Sequence, residues 1–201
     1  MSIHITGDSH CQIFGKCSSS LVHVHVHWIS GILCYSFGKE KLNRCDIRNF
    51  NMKNGDTIIF CFGEIDCRCH VHKHITETNT YQNIINNIVN DYFEAIKLNI
   101  TTCQIEFKNI CVHNIVPPIQ KHNTPENPSY PYLGTDEERK KYVLYFNEKL
   151  KEKCSEYGYV YFDIYDKYTD SNGFLDKSLS DGIVHIDNLK YIEEFIENNL
   201  L

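Results

Sequence analysis

Apolar and polar residues alternate along this chain in two rhythms, and the switches between them mark out its elements. Residues 2–6 (SIHIT) and 21–28 (LVHVHVHW) carry the two-residue period of β-strands, the second strictly. After the Asn54-Gly55-Asp56 turn, residues 57–62 are apolar throughout, which predicts a strand buried on both faces. Residues 103–107 and 111–116, apolar and β-branched and ending at Pro117-Pro118, predict a fourth strand, and residues 159–164 (YVYFDI) a fifth. Helical spacing takes over between residues 81 and 98, where Tyr81, Ile84, Ile85, Ile88, Tyr92 and Ile96 share one face. A second helix opens with a capping box, Thr135 at the N-cap and Glu138 at the third helical position, and buries Tyr142, Val143, Phe146 and Leu150. A last helix is predicted over residues 188–199.

Strands that alternate with helices predict an α/β fold, a mostly parallel five-stranded sheet covered on both faces. Sites in such sheets form at the carboxyl ends of strands. Gly7-Asp8-Ser9, Gly63-Glu64-Ile65-Asp66 and Pro117-Pro118 each follow a strand directly, so they are expected on one sheet edge. No internal repeat or low-complexity linker divides the chain, and residues 1–201 read as a single domain. Residues 121–134 hold three of the five prolines and predict a long, stiff loop bordering a pocket.

Composition narrows the function classes. A net charge of −6 without a basic block argues against nucleic acid as a partner. No apolar run approaches the roughly 20 residues needed to cross a bilayer, and MSIHITGDSH does not read as a secretory leader. The 10 cysteines, many inside apolar runs, are therefore expected as reduced thiols in a cytosol-like compartment. Richness in Asn, Ile, Lys and Tyr points to an AT-rich genome.

The candidate chemistry is nucleophilic. A serine hydroxyl needs a base to take its proton, usually a histidine oriented by a carboxylate. Ser9 follows a strand at a glycine-containing turn, a setting that exposes its Oγ and its backbone N–H together. His185, in Ser180-Asp181-Gly182-Ile183-Val184-His185-Ile186-Asp187, is the candidate base, with Asp181 four residues upstream. The bland reading of Ser9 alone is a helix N-cap.

GDSH at the start, GEID after the third strand and DGIVH near the end resemble, in order and spacing, the blocks of the SGNH/GDSL hydrolase family, over nearly the whole chain. The resemblance implies a flavodoxin-like three-layer α/β/α sandwich. It gives Ser9 the role of nucleophile, His185 that of base and Asp181 that of the orienting acid. It also implies an oxyanion hole made by the N–H groups of Ser9 and of a block-two glycine, for which Gly38 is preferred over Gly31. Three departures stand out. The block-three Asn is Ile65, and losing one oxyanion donor costs about 10²–10³ in rate; Arg68 is a cationic substitute. The usual Asp-x-x-His has become Asp-x-x-x-His, so either the loop takes a different path or Asp187 replaces Asp181. His10 follows the nucleophile and is expected, with Asp8, to contact substrate or support the site. Asp66 and Arg68 either act directly or form an ion pair below the site, and Glu64 is expected to orient neighbouring loops. FGEIDCRCHVH resembles a glycan-associated subgroup.

His23, His25 and His27 share one strand face, and Cys67, Cys69, His70, His72 and His74 follow each other closely. These are ligand types for zinc or copper, but without CxxC pairs or HExxH no metal site is expected. The sequence reading is acyl transfer, most naturally of acetyl, on a carbohydrate: as an acetylesterase, or as a sugar O- or N-acetyltransferase fed by acetyl-CoA or another ester, with no bound cofactor. Its rival is a non-catalytic glycan-binding module that keeps the fold.

Overall fold

The computed structural model describes residues 1–17, 22–125 and 127–201. Five parallel strands, β1 (Ser2–Gly7), β2 (His23–Trp28), β3 (Thr57–Cys61), β4 (Asn109–His113) and β5 (Val160–Phe162), form one sheet in the order β2-β1-β3-β4-β5. Central β3 is buried along its whole length. Its Ile58 and Phe60 point into one core and its Ile59 and Cys61 into the other, as the strand's two-residue period requires. The first core lies under α1 (Cys34–Glu40), the short α2 (Val71–Lys73), α3 (Tyr81–Cys103) and α4 (Asp136–Tyr157); the second lies under the 3₁₀ helix Ser9–Lys16 and α5 (Lys190–Asn199). This is the expected α/β/α sandwich.

Local chemistry accounts for the element boundaries. The Thr135 hydroxyl accepts the Glu138 N–H while Glu138 Oε2 accepts the Thr135 N–H at 2.8 Å, so the capping box starts α4 where its sequence placed it. The helix α3 runs further than residue 98, because Ile100 and Cys103 still pack on the core before Gln104 turns left-handed. The fourth strand, Asn109–His113, is correspondingly shorter than residues 103–107 and 111–116 suggested. The expected start of the second strand at residue 21 lies outside the described residues. Strand β2 is an edge strand with partly exposed histidines: His4 of β1 stacks between His25 and His27, and His27 lies on Phe50. Among the described residues, no three His, Cys, Asp or Glu side chains group as metal ligands would. All ten cysteines are free thiols. No helix is long and apolar enough to cross a membrane among the described residues.

Candidate active site

The carboxyl end of β1 meets that of β3 closely. A Cβ on Gly7 would fall 1.9 Å from the Cys61 carbonyl oxygen, so only glycine fits there, and the next amide, that of Asp8, donates to that same oxygen. The chain then turns straight into the 3₁₀ helix. Its N-cap is Asp8 rather than Ser9: Asp8 Oδ1 accepts the His10 N–H at 2.9 Å. With the cap supplied by its neighbour, the Ser9 hydroxyl is left for other work.

The residues 181–185 form a closed loop that brings the far end of the chain back to Ser9. Asp181 N–H donates to the His185 carbonyl, and a bridge between Ser180 and Ile186 shuts the base of the loop. Asp181 Oδ1 accepts the N–H groups of Ile183 and His185, while Gly182 takes φ +81°, open to glycine at little cost. That turn absorbs the extra residue of the Asp-x-x-x-His spacing. Asp181 Oδ2 lies 2.7 Å from His185 Nδ1, and His185 Nε2 lies 2.8 Å from Ser9 Oγ. Asp187 points elsewhere and pairs with Lys16. With Nδ1–H donating to the carboxylate, Nε2 is the free acceptor aimed at the Ser9 hydroxyl.

Electrostatics favour that state. Burial lowers the His185 pKa below the ordinary histidine value, and the charge of His10 lowers it further, against the pull of Asp181. Burial alone would raise Asp181, but the hydrogen bonds from His185 and Ile183 hold its carboxyl below the usual range. The three groups border an open depression of about 230 Å³, together with His10, Gln12, Ile13, Lys16 and Asp187.

His10 borders the depression but is tied down on both sides of its ring. It is 6% exposed, and its ring nitrogens lie 2.9 Å from Asp8 Oδ1 and 3.1 Å from the Val184 carbonyl oxygen. Its ring centroid is 4.7 Å from that of His185.

The block-three segment is arranged differently from the sequence expectation. Asp66, fully buried, makes no pair with Arg68. Its carboxylate accepts the Cys34 N–H at 2.6 Å and the Tyr35 N–H at 3.1 Å, capping α1, whose own N-cap residue, Leu33, has no side-chain acceptor. Burial pushes the Asp66 pKa up to about 7, partly opposed by those two amides. Arg68 instead pairs with Glu64 at 3.0 Å and lies 5.8 and 5.5 Å from the ring centroids of Tyr130 and Tyr132. Ile65 is buried. Gly38 is corrected too: it lies inside α1, where a Cβ would fall 2.9 Å from the Asp91 Cβ of α3. It is a helix-packing glycine, with its amide inside the helix. Gly31 sits in the loop after β2, whose first residue, Ile29, donates its N–H to the Gly7 carbonyl at 2.9 Å. A Cβ on Gly31 would meet the Tyr130 hydroxyl at 1.9 Å. Sequence reasoning missed this placement of Tyr130; three prolines and two tyrosines within residues 121–134 were its only signal.

No protein-family model matches the chain, and no curated protein sequence matches it. Solved structures do. A Streptococcus pneumoniae protein whose name connects it to platelet activating factor superposes with a TM-score of 0.69 at 17% identity, over 99% of this chain and 83% of that one. A GDSL-like lipase from Bacteroides thetaiotaomicron gives a TM-score of 0.62 at 12% identity, over 98% of this chain and 85% of that one. An acetyl xylan esterase gives 0.59 at 12% identity, with all of both chains covered. The fold is thus that of the SGNH/GDSL hydrolases.

Proposed function

We propose that this chain is a serine hydrolase that cleaves short acyl esters, with an acetylated carbohydrate as its substrate class. One observation carries the reading: an unbroken hydrogen-bonded chain from Ser9 Oγ through both nitrogens of His185 to Asp181. As Ser9 Oγ attacks the ester carbonyl, its proton passes to His185 Nε2, and Asp181 stabilises the imidazolium that forms. The tetrahedral oxyanion is held by the N–H groups of Ser9 and Gly31. The leaving alcohol takes the proton from His185, and water, activated by the same base, releases the acid and restores Ser9.

Ile65 removes the side-chain donor of the family's oxyanion hole, and Arg68 is already engaged by Glu64. Two amides alone predict a slower enzyme by about 10²–10³. The depression beside Ser9 is open and small, suited to an acetyl rather than a long acyl chain. The neighbour that acts as an acetyl xylan esterase supports a carbohydrate acetyl ester. Transfer to a sugar hydroxyl or amine, with acetyl-CoA as donor, uses the same acyl-enzyme and differs only in what resolves it. A binding-only module has no use for a base held at hydrogen-bond distance from a serine hydroxyl.

The test is p-nitrophenyl acetate with and without an amino-sugar acceptor. Wild type releases p-nitrophenolate and Ser9→Ala does not; acetylated sugar among the products identifies transfer. No release by wild type, or equal release by Ser9→Ala, sinks both versions.

A further inference from the structure

His10 is a buried titratable group beside the triad that the mechanism above leaves without work. Both of its ring nitrogens face atoms that only accept. Asp8 Oδ1 lies 2.9 Å from Nδ1, and the Val184 carbonyl oxygen lies 3.1 Å from Nε2. A neutral imidazole has one N–H, so it would turn a lone pair toward one of these oxygens. The ring is buried, which keeps water from mending that contact. The doubly protonated ring satisfies both oxygens, and the Asp8 carboxylate, 1% exposed, balances its charge.

We propose that His10 is a positioning residue of this site: a buried imidazolium that ties the loop carrying His185 to the turn carrying Ser9 and keeps His185 in its neutral, proton-accepting form. The inference rests on the hydrolase reading for its purpose, though not for its geometry. Val184 immediately precedes His185, so the bond to its carbonyl fixes the base-bearing loop at its last step before the base. The bond to Asp8 fixes the other end of the strut at the residue before the nucleophile. The His10 and His185 rings, 4.7 Å apart, place a fixed positive charge where a second one would have to form.

The surrounding charges agree. Burial lowers the pKa of His10 and Arg68 adds to that, but the charge and hydrogen bond of Asp8, with Glu64, raise it, and the net direction is up. His113, on the inner side, is driven down by burial, to about 4, and stays neutral. His185 faces His10, Asp181 and Glu64, and its net direction is down. Lys16 and Asp187, at the outer rim, neutralise each other. Two imidazoles in contact are thus pushed in opposite directions.

The test is ¹⁵N-histidine NMR on the whole protein, with the His10 signals assigned by their loss in His10→Gln. At pH 7, where a free imidazole is mostly neutral, both His10 ring nitrogens should still carry protons. In His10→Gln, the His185 titration should rise by about one pH unit, a tenfold change in its proton affinity. The acid limb of kcat/KM for p-nitrophenyl acetate should move up with it, a shift that a merely structural residue would not cause. If His10→Gln does not fold, Asp8→Asn serves: His10 should then give up one ring proton near neutral pH. An unprotonated His10 nitrogen in the wild type at pH 7 overturns the proposal, as does a His185 titration unmoved in His10→Gln or a His10 unmoved in Asp8→Asn. Because the spectra need no turnover, a charged His10 in a protein that releases no acyl group counts against the hydrolase reading alone.

Discussion

Two histidine–aspartate pairs stand side by side at the end of β1, alike in composition and opposite in behaviour. In the first, Asp8 and His10 have side chains 1% and 5% exposed; in the second, Asp181 and His185 are 29% and 30% exposed. In each, the carboxylate holds Nδ1 of the ring. The difference is at Nε2. His10 meets a carbonyl, which can only accept, whereas His185 meets the Ser9 hydroxyl, which can donate. The partner of the second nitrogen therefore decides whether the same pair is a fixed cation or a base. Neither the Asp/His composition nor proximity to Ser9 would separate the two.

The comparison can be broken most severely at the Asp181–His185 pair. Asp181→Ala removes the group that selects the His185 tautomer, and kcat for p-nitrophenyl acetate should drop by about 10²–10⁴ with little change in KM. Asp8→Asn keeps shape but withdraws the countercharge from His10; a loss of roughly tenfold in kcat/KM is expected near pH 6, shrinking as pH rises. In the wild type the sign is fixed by the depressed pKa of His185. The working form is neutral, so activity persists above that pKa and is lost as pH falls through it; the acid limb of the kcat/KM profile should lie below pH 6.5. Asp187→Asn should cost less than about fivefold, since its pair with Lys16 is exposed. A third carboxylate sharpens the contrast from outside the chemistry. Asp66 holds amides instead of an imidazole, and Asp66→Ala should lower stability by about 1–3 kcal/mol in thermal or denaturant unfolding, by leaving the Cys34 and Tyr35 N–H groups without acceptors.

What could be read from the chain follows the range of the forces involved. Period and capping are local, so the two-sided burial of β3 and the Thr135–Glu138 box were visible in the sequence. The parallel order followed from the alternation of strands and helices. The edge position of β2 was not visible, because the His23–Trp28 alternation reads the same whether a strand is central or peripheral. The helix Cys34–Glu40 was missed because its cap, Asp66, lies 32 residues away from Cys34 in the chain. Gly38 and Gly31 were told apart only by what surrounds them, a helix in one case and a tyrosine hydroxyl in the other. Which of the two expected roles His10 takes was hidden for the same reason: its second partner is a backbone carbonyl 174 residues distant, which no motif encodes. The Asp181-x-x-x-His185 spacing looked like a defect in the sequence and is a turn made possible by Gly182.

The central claim is that Ser9 carries the acyl group, and mass spectrometry tests it most directly. Protein mixed with p-nitrophenyl acetate, quenched in acid and digested should show one added acetyl group on the peptide containing Ser9. The label should be absent in Ser9→Ala and strongly reduced in His185→Ala. Acetylation confined to lysines or cysteines, with Ser9 unmodified while p-nitrophenolate is released, would contradict the account.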